Sequence, residues 1–245
     1  MRKGALVSMV AGFVCFSGLS AVVAQEPSRF GGIWSYGVSG TYSPDSSHIL
    51  IGDSEQRRVW TLGGEYSHVL RQGPWFRFDY EASVMPVWEE RDPTVTGTEF
   101  FVSGQAIVTN QAPVRVVDVT NKPVGSILTG SGSFAPVYAL FGTENTYAAA
   151  ITPLGVRVSA MPHWRVQPTF AVDLGFVFGS RAIPIDGATQ FNYLFALGPG
   201  IQFYSGAHTS WRVEYLYRHV SNAGQGDQNP GIDQGVLRVT MSRHR

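Results

Sequence analysis

The chain of 245 residues contains one cysteine, Cys15, and it falls within an N-terminal leader-like stretch. No disulfide framework and no cysteine-ligated zinc can therefore be built from the remainder. Neither charge is in excess: 18 Lys and Arg stand against 18 Asp and Glu. A chain without net charge offers nucleic acid no basic field, which excludes it as a partner class. Charged residues are scarce, at 15% against roughly 25% in soluble domains. After the leader no apolar run reaches the length of a membrane helix, and no stretch sustains a spacing of three and four. Aromatic residues, by contrast, make up 13% of the chain and glycines number 28, while an apolar content of 44% can bury a core.

Residues 1–24 read as an export signal. Arg2 and Lys3 give a positive start, Ala5 to Ala24 is uncharged, and Val22-Val23-Ala24 precedes Gln25-Glu26-Pro27 as a cleavage site would. A retained anchor is the lesser alternative. Val14 before Cys15 argues against a lipoprotein cut. Removing Arg2 and Lys3 leaves 18 − 2 = 16 basic against 18 acidic residues, a charge of about −2. The domain to be explained is then 25–245.

That domain has one period, and it is two. Eight segments alternate, over about 33–43, 57–70, 75–86, 146–160, 164–179, 190–205, 210–221 and 234–242. The clearest places Phe76, Phe78, Tyr80, Ala82 and Val84 on one face and Arg77, Asp79, Glu81 and Ser83 on the other. The segments exceed the usual soluble strand and suit a tilted bilayer crossing of about 9–11 residues. Charges sit in mid-segment on the polar face, as in a packed barrel lumen, and Trp34, Trp60, Trp75, Trp164 and Trp211 stand near segment ends, where interfacial girdles belong. The connections run about 13, 4, 59, 3, 10, 4 and 12 residues, long and short in turn. The expected fold is all-β: an eight-stranded antiparallel transmembrane β-barrel in the bacterial outer membrane. From a periplasmic N-terminus every long loop falls outside, and one long external loop spans about 87–145. A hairpin extension is expected near Val114 to Val119. Eight strands enclose side chains rather than a pore.

Candidate chemistry collects between the last two segments. His219 and Ser221 are two apart on a strand and share a face, with Cα atoms about 6.6–6.8 Å apart. That is the pairing of a base with a nucleophile. Asp233 opens the final segment and can orient the imidazole, with Asp227 as a second choice of acid. Asn222 can offer its amide to an oxyanion. His219 and Ser221 are in phase with Trp211, Val213, Tyr215 and Tyr217, and Asp233 with Leu237, Val239 and Met241, which are the lipid-facing rows. The three groups therefore converge on the outer wall at the external end. A serine esterase there faces the outer leaflet, so an ester of the lipid A part of lipopolysaccharide is the expected substrate. Against this stands the plain alternative that His-x-Ser is common and that Gly, Asn, Pro and Asp are ordinary turn formers.

Tyr217-Arg218-His219-Val220-Ser221-Asn222-Ala223-Gly224, followed by Asn229-Pro230-Gly231-Ile232-Asp233, resembles the signature of the lipid A 3-O-deacylase family of outer-membrane barrels. Ile151-Thr152-Pro153-Leu154-Gly155, Val166-Gln167-Pro168 and Gly187-Ala188-Thr189-Gln190-Phe191-Asn192 are similar to acyloxyacyl hydrolase-like relatives. The resemblance spans about 146–243. It implies His219 as general base, Ser221 as nucleophile, and Asn222 with the backbone of Gly224 as oxyanion hole. Asp233 stands where that family has a catalytic glutamate, a departure in reach. The end, Ser242-Arg243-His244-Arg245, lacks the terminal aromatic many such barrels carry. Such an enzyme needs no cofactor and no metal. His48, His68, His163, His208 and His244 are scattered without metal-ligand spacing. Gly125 to Gly132 lacks the ending of a phosphate loop. Two other readings stand beside the esterase: a structural or adhesion barrel with a relic site, and a small channel. A homodimer is compatible with the sequence and not required by it.

Overall fold

A computed structural model of the protein describes residues 30–130 and 132–245; the expected export signal, residues 1–24, lies outside them. Among the described residues there is no helix. Ten strands follow one another: β1 (Trp34–Ser43), β2 (Arg58–Gln72), β3 (Phe76–Val102), β4 (Gln105–Arg115), β5 (Gly125–Leu128), β6 (Phe134–Ala160), β7 (Val166–Ile183), β8 (Thr189–Tyr204), β9 (Thr209–Ser221) and β10 (Ile232–His244). Eight of them close a ring in the order β1-β2-β3-β6-β7-β8-β9-β10, with β10 pairing back to β1 and every pair antiparallel. Closure removes the free edges that would otherwise leave backbone groups unpaired in lipid. The expected eight-stranded barrel is the one found.

Alternation decides which side chains face out. Along β9, Trp211, Val213 and Tyr215 are exposed while Ser210, Arg212, Glu214 and Leu216 are buried. The outer wall is thus an apolar belt and the lumen takes the polar row. Arg157 meets Asp79 and Glu81 at 3.1 and 2.5 Å, and Arg212 meets Glu65, Glu81 and Glu214 at 2.5, 3.0 and 2.9 Å. Arg238 joins Asp173 and Glu214 at 2.7 and 2.5 Å. Charges buried this deeply persist because each has opposite partners. Toward the loop-rich end the lumen turns apolar, with Met85, Trp88, Leu194, Leu216, Val220 and Val236 in one cluster. Arg218 lies over the Trp88 ring, 4.4 Å from its centroid, and donates to Gln234 Oε1. The lumen is thus charged below and apolar above that, as far as a second charged cluster at the mouth.

The segment 87–145 is not the loop expected from the sequence. β3 and β6 run past the barrel rim and stay paired from Phe76↔Ala160 to Phe100↔Val137. β4 and β5 add to their outer edges, so a four-stranded paddle stands above the ring. The hairpin extension is real but sits earlier than Val114 to Val119, on Gln105–Arg115. Alternation fades there because both faces of the paddle meet water; ten of the eleven β4 residues are exposed. Two prolines add to the effect. At Pro86 the register of β3 slips, and its inward row changes from Arg77, Asp79 and Glu81 to Trp88, Glu90 and Asp92. The slip at Pro153 does the same to β6. Proline has no N–H for the ladder, and bulges are where a sheet tolerates it.

The mouth is tied shut from the first long connection, residues 44–57. Arg57 is fully buried and donates to the carbonyl oxygens of Glu55, Val116 and Val117 at 3.0, 2.6 and 3.0 Å. Its Nε lies 3.5 Å from Glu90 and 3.2 Å from Asp92. Burial lowers the guanidinium below its usual range, and the two carboxylates pull it back. Arg115 bonds Asp186 and the carbonyl of Ala182, closing the far side.

Candidate active site

β9 and β10 bring the imidazole and the acid together by register. His219 is paired directly with Asp233 across the antiparallel ladder, and both lie on outward rows. Opposite side chains on one face come within about 5.5 Å at Cβ. The imidazole Nδ1 and Asp233 Oδ1 are 2.6 Å apart. Only the Nε2 edge then remains for chemistry, which is the arrangement in which an acid fixes the tautomer of a base. The His219 side chain keeps 13% of its exposure and Asp233 keeps none.

Asp233 is buried although it points outward, and its partners explain why. The Tyr217 hydroxyl donates to Oδ1 at 2.8 Å. The backbone N–H groups of Leu50 and Ile51 donate to Oδ2 at 2.7 and 2.9 Å. Residues 46–54 are laced to the strand end by Ser47 N–H to Asp233 O, Asp53 N–H to Pro230 O and Ser54 N–H to Gly231 O. A Cβ on Gly52 would stand 2.6 Å from Asp233 N and 2.8 Å from its Oδ1, so this close approach requires glycine. Gly231 has φ +63, and a Cβ there would stand 3.0 Å from His219 Cε1. Both the turn and the room beside the imidazole need the missing side chain.

Ser221 ends β9 two residues beyond His219, on the same half-buried outward row. Among the described residues no hydrogen bond reaches its hydroxyl, so the serine–histidine bond expected from the spacing is not closed in this conformation. The oxyanion donors differ more. Asn222 follows the inward parity of Arg218 and Val220 and is buried. Its Nδ2 donates to Gln228 O and its Oδ1 accepts from Gly224 N–H, both at 2.9 Å. The donors expected for an oxyanion are thus spent on the loop itself. Asp227 is exposed and makes no contact with the imidazole, whose Nδ1 belongs to Asp233. Among the described residues no three His, Asp or Glu are placed to hold a metal ion.

Sequence reasoning missed Tyr217 as a ligand of the acid and missed residues 50–52 altogether. Tyr217 carried a signal, since it shares the outward row with His219. Residues 50–52 carried none, because they reach Asp233 across 182 and 183 positions of chain. The Gly187–Asn192 motif has a bracing role: Gly187 O accepts from Gln228 N–H at 2.9 Å, and Tyr193 just beyond it accepts from Gln225.

Comparison with known proteins places this end of the chain. Residues 127–242 match the family model of lipid A 3-O-deacylase (PagL). No curated protein sequence matches the chain. Among solved structures, the chain is similar to the outer membrane enzyme PagL, with 11% identity and a TM-score of 0.49, over 84% of this chain and 97% of that one. It is also similar to Neisserial surface protein A, with 10% identity and a TM-score of 0.41, over 88% and 99% of the two chains. OprG from Pseudomonas aeruginosa shows 9% identity and a TM-score of 0.42, over 89% and 98%.

Proposed function

We propose, starting from the match of residues 127–242 to the family model of lipid A 3-O-deacylase, that the chain is an outer-membrane serine esterase removing a fatty-acyl chain from lipid A. The single observation that carries the reading is the His219–Asp233 bond on the lipid-facing wall. A base held by a buried acid and open at Nε2 is of little use to a structural barrel. On the outer wall its substrate comes from the membrane, and the outer leaflet offers acyl esters of lipopolysaccharide.

In this mechanism Ser221 Oγ attacks the ester carbonyl while His219 Nε2 takes its proton. Asp233 stabilises the imidazolium. The tetrahedral oxyanion is met by Gly224 N–H once it exchanges its bond to Asn222 Oδ1 for the substrate. Collapse expels the sugar hydroxyl, which leaves with the proton from His219. Water, activated by the same imidazole, then releases the fatty acid and restores Ser221. No step calls for a metal or a cofactor.

Lipid A extracted from cells with and without the gene, compared by mass spectrometry, tests the reading. Loss of one ester-linked acyl chain only when the gene is present supports it. Identical lipid A, together with no fatty acid released by the purified barrel, leaves the structural or adhesion reading in its place.

A further inference from the structure

Three features of the first loop go together. Its backbone grips the acid: Leu50 and Ile51 give their N–H groups to Asp233 Oδ2. Its side chains turn the other way: Leu50 and Ile51 are 66% and 65% exposed, and Ile49 is 45% exposed. Its base is anchored, through Arg57 in the mouth and through Gln56 N–H and Arg57 N–H to Ser46. A loop in water has no reason to expose three consecutive large aliphatic residues. Asp233 lies on the outward row, so the loop that covers it leans over the rim onto the apolar belt. The aliphatic tip is therefore continuous with the lipid-facing wall beside Tyr217, His219 and Ser221.

We infer that the loop 44–57 is part of the reaction site: the N–H groups of Leu50 and Ile51 position the acid, and the side chains of Ile49, Leu50 and Ile51 lie along the fatty-acyl chains of the lipid substrate. The inference rests on the esterase reading above and extends it. The short arm of Asp233 fits this picture. A carboxylate one methylene shorter than the family's glutamate is held within reach of His219 by donors that come from a different part of the chain. Leu50 and Ile51 are positioning residues, acting on the imidazole through Asp233. When the tip settles among acyl chains, the same few residues hold the ester near Ser221 and keep the acid aligned.

Backbone and side-chain roles at the same positions can be separated by kinetics. The full-length protein is assayed on purified lipid A in mixed micelles, with folding checked by the heat-modifiable gel migration of intact barrels. The pair Leu50→Pro and Ile51→Pro removes both N–H donors; kcat should fall about 10²-fold, the cost of a displaced catalytic group. The pair Leu50→Ser and Ile51→Ser keeps the donors and removes the aliphatic tip; KM should rise about tenfold, with kcat changing much less. Leu50→Val with Ile51→Val should restore both constants. A second readout is independent of turnover: the downfield Nδ1 proton resonance of a histidine bonded to a carboxylate should be present in the wild type and in Ser221→Ala, and lost in the proline pair. If the proline pair does not fold, Gly52→Val is read in the same two ways, since its side chain would push the loop off Asp233. Wild-type kcat with the resonance retained, in the proline pair or in Gly52→Val, overturns the positioning role; an unchanged KM in the serine pair overturns the acyl contact. If the wild type itself releases no fatty acid, the esterase reading fails and the acyl contact with it, while the resonance still decides the positioning of Asp233.

Discussion

Tyr217 and His219, two residues apart on one strand, direct their hydrogen bonds to the same oxygen, Oδ1 of Asp233, at 2.8 and 2.6 Å. The phenol thus shares the imidazole's acceptor oxygen, while Oδ2 is held by the backbone of Leu50 and Ile51. Tyr217→Phe removes one neutral donor and keeps the ring on the outer wall. Turnover should drop about tenfold, the equivalent of one hydrogen bond, with KM nearly unchanged. Steady-state kinetics on lipid A in micelles measures this, and a change confined to KM would assign Tyr217 to substrate binding instead.

Ser221→Ala should fold as the wild type does, because Ser221 is small and ends a strand. Fatty-acid release should fall by at least about a thousandfold, the scale on which serine nucleophiles fail when truncated. Residual release close to wild type would move the nucleophile elsewhere.

Asp233→Asn should lower kcat by about 10⁴, by analogy with a serine protease acid, while Asp227→Asn should change little. The family resemblance alone would favour Asp233→Glu as neutral or better. The surroundings say otherwise: Leu50, Ile51, Tyr217 and His219 all contact the carboxylate, and Gly52 is packed against it. A longer arm must displace the first loop, so Asp233→Glu should be slower than wild type. Equal or faster turnover would show that the loop yields.

Arg57→Met should destabilise the mouth by about 3–5 kcal/mol, because Glu90 is left buried without its cation and Asp92 keeps only Arg115, at 3.8 Å. The temperature at which the barrel loses its fast gel migration reads this directly. Arg57→Met combined with Glu90→Gln and Asp92→Asn should recover part of the loss.

The paddle gives a test of orientation. Cysteines placed in β4, where all residues but Arg115 are exposed, should react with a membrane-impermeant reagent on whole cells. Reaction only after lysis would put this end in the periplasm and take the site away from lipopolysaccharide.

Most of the barrel was legible because the membrane enforces the alternation. Wherever one face meets lipid and the other the lumen, as on β9, residue types report the face without further information. The same parity placed His219, Ser221 and Asp233 on the outer wall before any coordinates. The reading of the sequence failed in three places for physical reasons. Past Pro86 and Pro153 the register slips, and beyond the rim both faces of β3 and β6 are in water, so the period disappears. Asn222 was assigned from residue type and resemblance although its own parity points inward, and the structure follows the parity. The grip of Leu50 and Ile51 on Asp233 depends on backbone groups, which every residue has and no sequence pattern marks.

Tyr217, His219 and Ser221 face sideways rather than up. Such a centre meets its substrate in two dimensions, by collision within a sheet of lipid, and not from the bulk solution. Its rate should follow the mole fraction of substrate at the interface. Adding inert detergent at constant total lipid A ought to slow it, and diluting the whole sample with buffer ought to leave it nearly untouched.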